Sequence, residues 1–96
     1  MAKFIVRVTL HEIKDLDHEN YATLHEEMEK ALFLKKIKSK TGVWYHLPPA
    51  EYFIEKNDTL DKIYDKVKSI LDSINLNYGF IVFKHEKAKW CGLKRV

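Results

Sequence analysis

The sequence predicts a single α+β domain in which two amphipathic helices cover one face of an antiparallel sheet. Three observations carry this. Lys3 to His11 alternates apolar and polar residues, two later stretches repeat apolar residues at helical spacing, and the remaining strand-like segments fall between and after them. Residues 1–96 are the length of one domain, and 46% apolar and 32% charged residues with three glycines and two prolines is globular composition.

In the first strand Phe4, Val6, Val8 and Leu10 share one face, while Ile5, Arg7, Thr9 and His11 share the other. His11 to Asp17 is a polar connection, and Asp17 is the expected N-cap of the first helix, with Glu19 in its first turn. Along that helix Tyr21, Leu24, His25, Met28, Ala31 and Leu32 form the apolar stripe, which makes His25 a packed, hydrogen-bonded residue at the core margin. Phe33 to Ser39 reads as the second strand, and Lys40-Thr41-Gly42 as a turn with glycine where positive φ is needed. A third strand starts at Val43 and runs through Pro48-Pro49 to about Glu55. Asp58 is the expected cap of a second helix whose stripe is Leu60, Ile63, Tyr64, Val67, Ile70, Leu71 and Ile74, ended by residues 75–79. Phe80-Ile81-Val82-Phe83, apolar on both faces, is the fourth strand. Residues 88–96, with Trp90 and Leu93, form a tail or a short extra strand, and Trp90 is expected to anchor it. The order β-α-β-β-α-β is that of the ferredoxin-like sandwich. Ile5 and one side of the fourth strand would remain wet on its open face, a patch that a homodimer or the tail could cover.

Composition excludes several function classes. A single cysteine, Cys91, forms no internal disulfide, fits a reducing compartment and cannot build a thiolate-rich zinc site. No stretch approaches the roughly 18 apolar residues of a membrane span, and the N-terminus carries no signal-peptide core, so a cytoplasmic protein without a membrane partner is expected. Three scattered glycines make no phosphate-cradling loop. Asp15, Asp17 and His18 could gather a cation, but capping and solvation is their ordinary reading, and no metal or cofactor is expected.

The net charge of +3 is unevenly spread. Lys35, Lys36, Lys38 and Lys40 stand within six residues without an acid, residues 84–96 carry +4, and the rest of the chain is left at −5. Clustered positive charge on a small domain is the footprint of a polyanion partner, although lysines on an edge strand also discourage aggregation.

The chemistry concentrates in Tyr45-His46-Leu47-Pro48-Pro49-Ala50-Glu51-Tyr52. His46 and Glu51 are five residues apart, so an unbroken strand sends them to opposite faces. A one-residue bulge at the prolines would bring both to one face, with Arg7 and His11 of the adjacent first strand beside them. Metal-free cleavage of RNA needs a base, an acid and cations facing the phosphate, roles that histidine, carboxylate and arginine can fill. His46, Glu51, Arg7 and His11 are therefore the candidate catalytic residues. Lys35, Lys36, Lys38 and Lys40, with Tyr45 and Tyr52 as stacking surfaces, are the candidate RNA-binding residues. The bland alternative is a solvated, proline-kinked strand with a surface salt link.

The chain resembles the GhoS-type antitoxins of type V toxin–antitoxin systems. The resemblance is carried by Phe4-Ile5-Val6-Arg7-Val8-Thr9-Leu10-His11, by Tyr21 to Glu29, by Tyr45 to Tyr52 and by Trp90-Cys91-Gly92-Leu93. It implies a sequence-specific endoribonuclease that cuts the messenger of a small membrane toxin. The family is similar in fold to the CRISPR-associated adaptation nucleases, which typically hold an aspartate at the end of the first strand. His11-Glu12 stands there in this chain, which speaks against metal dependence. The expected function is thus an RNA-binding, antitoxin-like regulator that cleaves a toxin messenger without a metal. The alternative is a non-catalytic dimeric module binding nucleic acid or protein.

Overall fold

The computed structural model describes residues 1–15, 18–74 and 77–96. It is a small α+β structure with seven elements in chain order: β1 (Ala2–Leu10), α1 (Glu19–Lys30), β2 (Lys36–Lys38), β3 (Trp44–His46), β4 (Glu51–Lys56), α2 (Leu60–Ser73) and β5 (Tyr78–His85). The strands make two sheets, an antiparallel three-stranded sheet ordered β4-β1-β5 and a two-stranded ribbon of β2 and β3. No helix among the described residues is long and apolar enough to cross a membrane.

The main core follows from the alternation in β1. Phe4, Val6, Val8 and Leu10 point to the helix side, where Tyr52 and Ile54 of β4 join them. Tyr21, Leu24 and Met28 of α1 and Ile63, Val67 and Leu71 of α2 close this core from above. Each such side chain contributes about 1.5–3 kcal/mol on burial, so this core holds the domain together.

Both helices start one residue later than the sequence suggests. His18 caps α1, its Nδ1 accepting from the Asn20 N–H at 3.1 Å, while the expected cap Asp17 lies outside the described residues, as do Asn75 and Leu76 after α2. Thr59 caps α2, its Oγ1 accepting from the Lys62 N–H, and Asp58 instead accepts from the Thr59 N–H. The first helix also ends early. Leu32 takes a left-handed conformation (φ 69°) and is 71% exposed, so it leaves the apolar stripe. The Leu32 N–H donates to the Glu29 carbonyl and the Phe33 N–H to that of Met28, a Schellman closure that carries leucine where glycine is usual. Phe33, 1% exposed, is what the closure inserts into the core.

The second and third strands depart furthest from expectation. Leu34 makes a two-way backbone bridge to Phe53 of β4, with N–H···O distances of 2.8 and 2.7 Å. The chain then leaves the main sheet and pairs as β2 with β3, in the register Lys36↔His46, Ile37↔Tyr45, Lys38↔Trp44. Gly42 takes the positive φ (85°) of the connecting turn. The expected single strand through the prolines is two strands in two sheets. Pro48-Pro49 ends the ribbon, Ala50 turns through φ 61°, and β4 begins at Glu51 against β1.

The ribbon lies over the face of the main sheet away from the helices. Ile37 packs on Ile5 and Phe53 in a second, smaller core that Tyr45, Leu47 and Trp90 complete. The tail adds a short third lane: the His46 N–H donates to the Lys94 carbonyl and the Val96 N–H to that of Trp44. The chain therefore covers much of its own second face. The fourth apolar strand, β5, is an edge strand half-buried on its helix side, and Ile81 and Phe83 remain 55% and 41% exposed.

Among the described residues, three buried side chains hold the ribbon, against fifteen in the main core. Ile37→Ala is expected to cost about 2–4 kcal/mol locally. In hydrogen exchange the amides of residues 36–46 should lose protection first, with β1 retained. An equal loss across β1 and the ribbon would contradict a separable ribbon.

Candidate nucleic-acid interface

The interface follows from the alternation of a three-residue ribbon. With Ile37 and Tyr45 turned inward, Lys36, Lys38, Trp44 and His46 share the outer face. Lys38 stands across from Trp44 and Lys36 across from His46. The Lys36 and Lys38 ammonium groups sit 4.9 and 5.7 Å from the centre of the Trp44 indole. Cations over an indole face are attracted by its quadrupole, which holds both lysine stems against the ring and orders the ridge. The tail continues the pattern, setting Lys94 beside His46 and Val96 beside Trp44.

Two grooves flank this ridge. The larger, of about 600 Å³, opens between the ribbon and β4 and is walled by Lys38, Lys40 and Trp44 on one side and Lys3, Glu55 and Lys56 on the other. The smaller, of about 350 Å³, lies toward the end of α1 and takes Glu29, Lys35, Lys36, His46 and Val96. Lys35, Lys36, Lys38 and Lys40 are thus brought onto one connected surface.

The expected catalytic group does not assemble in this way. Arg7 and Glu51 are ladder partners on β1 and β4, with Nη2 and Oε1 3.5 Å apart. Arg7 is 64% exposed, so the pair is a surface link worth roughly 0–1 kcal/mol. Glu51 lines a cavity with Arg7, Leu47 and Pro48, whereas His46 lines the groove on the other side of the ribbon. No hydrogen bond or ion pair joins His46 to Glu51 among the described residues. The prolines do not bulge a continuous strand; they move the chain from one sheet to another, and face parity no longer relates the two residues. His11 lies beyond β1, its Nε2 3.4 Å from the point where a Cβ on Gly79 would stand. It is four strand residues from Arg7, roughly 13 Å along the sheet.

The two tyrosines also part company. Tyr52 is fully buried on the helix side and offers no face to a base. Tyr45 is half-buried, with its ring 5.6 Å from Trp90 in an edge-on contact beneath the ribbon. The aromatic residue on this outer face that sequence reasoning missed is Trp44. The signal existed: once the Lys40–Gly42 turn is taken as a hairpin, Trp44 falls opposite Lys38 and on the parity of His46. Comparisons with protein-family models, with curated proteins and with solved structures found no match.

Tyr52 has a different task. Burial, with a smaller contribution from Tyr21, pushes its hydroxyl well above the usual phenol range, so it stays protonated, and it shares a hydrogen bond with His25 Nδ1 at 2.5 Å. Beside it the Tyr21 hydroxyl accepts from the Leu10 N–H at 3.0 Å. Burial, and then the Lys35 charge, lowers the pKa of His25 below its ordinary 6.5. Burial, and then Lys3, does the same to His85, whose buried Nδ1 has no partner among the described residues. Both imidazoles are therefore easier to protonate in the unfolded chain. Stability should be highest above pH 6.5 and fall as the pH drops below it, because the unfolded state then binds more protons. Denaturant midpoints between pH 7.5 and 5 should decline less steeply for His25→Gln than for the wild type, the slope due to His85 remaining. An unchanged slope would remove His25 from the account.

Proposed function

We propose that this domain binds single-stranded RNA on the outer face of its ribbon and acts as an antitoxin-like regulator of a messenger. The observation that carries the reading is Trp44 under Lys36 and Lys38, an aromatic platform framed by cations on a lysine-rich, acid-poor ridge. Aromatic rings stack unpaired bases at about 1–3 kcal/mol each, and lysines track the backbone phosphates. Lysines that served only to discourage edge pairing would need no partly exposed indole among them.

We further infer a ferredoxin-like topology in which the fourth sheet strand has shrunk to the Leu34–Phe53 bridge. Its support is the antiparallel order β5-β1-β4 followed by that bridge. The toxin messenger as target rests on the likeness of the quoted sequence blocks to GhoS-type antitoxins, and such a regulator works in the cytoplasm. Ile81 and Phe83 form the surface on which a second copy would pack.

Cleavage is the second reading, and His46 favours it as the imidazole on the ridge itself. In that case His46 moves the proton with the neighbouring lysines facing the phosphate, and Arg7, Glu51 and His11 take no part. Product analysis on bound RNA separates cleavage from binding alone.

Fluorescence anisotropy with a labelled single-stranded RNA tests the binding face. Lys36→Glu combined with Lys38→Glu should weaken binding at least tenfold and lower the salt slope by about 1–2, with the far-UV CD spectrum unchanged. Trp44→Ala should weaken binding by about 1–3 kcal/mol with the salt slope retained. Wild-type affinity in the double lysine variant would reject the ridge as the RNA site.

A further inference from the structure

We propose that the groove between the ribbon and β4 is a guanine pocket, in which Trp44 supplies the stacking wall and the Glu55 carboxylate reads the base edge. The proposal deepens the RNA-binding reading above and rests on it.

Charge sets the argument going. The groove is walled by lysines and by one carboxylate, that of Glu55. Lys56 approaches Asp58 at 3.9 Å, so part of its charge is already answered. Glu55 stands directly across the ladder from Lys3, yet its side chain makes no ion pair or hydrogen bond among the described residues. A carboxylate repels phosphate, so a strand held by Lys38 and Lys40 at the rim would turn its base, not its backbone, toward Glu55. An ionised carboxylate accepts hydrogen bonds and donates none. It therefore selects bases with donors on the Watson–Crick edge. Guanine presents two adjacent donors there, N1–H and N2–H, matched to the two oxygens. Adenine and cytosine offer only an exocyclic amine, and uracil only N3–H.

The backbone adds a complementary donor. Phe4, Val6 and Val8 pair with Ile54, Tyr52 and Ala50, and the Val8 N–H donates to the Ala50 carbonyl. Phe53 turns both its N–H and its carbonyl to Leu34 on the opposite edge. By the same alternation the N–H and carbonyl of Glu55 face that edge too, toward Leu32, where the chain is still closing α1 and the Leu32 N–H is turned to Glu29. Among the described residues the Glu55 N–H is thus left without a strand partner at the wall of the groove, as a donor suited to guanine O6. The space of about 600 Å³ is ample for a purine with its sugar.

The test uses labelled nonamers, oligouridylate with a central guanosine, the same with a central adenosine, and uridine throughout, titrated into the full chain and into Glu55→Gln. Glu55 is exposed, so the substitution leaves the core intact. The wild type should bind the guanosine nonamer roughly tenfold more tightly than the other two. In Glu55→Gln that preference should fall below about threefold, with affinity for oligouridylate kept or raised. Equal binding of the three nonamers by the wild type, or an undiminished preference in Glu55→Gln, would overturn the guanine pocket while leaving the ridge standing. Binding of none of the three would reject the RNA reading itself, and the pocket with it.

Discussion

The two hydrogen bonds between Leu34 and Phe53 decide how everything else is arranged. Up to Leu34 the chain could have run on as a fourth strand beside β4. After it the chain turns over the sheet and forms the ribbon. Phe53 serves both sides of that decision. Its backbone receives Leu34, and its ring joins Ile5 and Ile37 in the small core that holds the ribbon down. Without the departure there would be no outward face carrying Lys36, Lys38, Trp44 and His46, and no groove along β4. The same departure leaves the ribbon, and the lysine-bearing face it carries, held by a core much smaller than the one beneath the helices.

Much of this was legible in the sequence. The alternation of β1 predicted its buried face residue by residue, and both helix stripes placed Leu24, Met28, Ile63, Val67 and Leu71 in the core. His25 was recognisable as a packed, hydrogen-bonded histidine because it lies beside that stripe. Other features were hidden for identifiable reasons. Leu32 ends α1 in a conformation that glycine normally signals, so the apolar stripe reads two residues past the end of the helix at Lys30. Pro48-Pro49 reads equally well as a bulge and as a crossing between sheets. Period two alone cannot tell which, because Tyr45 and Tyr52 are inward in either case, though toward different cores. The site depended on that choice: it separated His46 from Glu51 and drew Trp44 into view.

The resulting surface suits recognition better than assembled acid–base chemistry. Arg7 and Glu51 answer one another's charge on one face, while His46 stands among cations on another. A ridge of exposed lysines provides attraction that is strong at low salt and indifferent to sequence. In the proposed RNA reading, selectivity would come from groups that hydrogen-bond bases, for which the β4 groove beside this ridge offers Glu55 and its backbone.

The most direct test of the central claim is a map of amide and indole chemical shifts on addition of a short single-stranded RNA. The account predicts that the Trp44 indole N–H and the amides of residues 36–38 and 44–46 move in step with saturation, and that Ile81 and Phe83 on the uncovered sheet face stay in place. Shifts confined to β5, with the Trp44 indole unmoved, would contradict it.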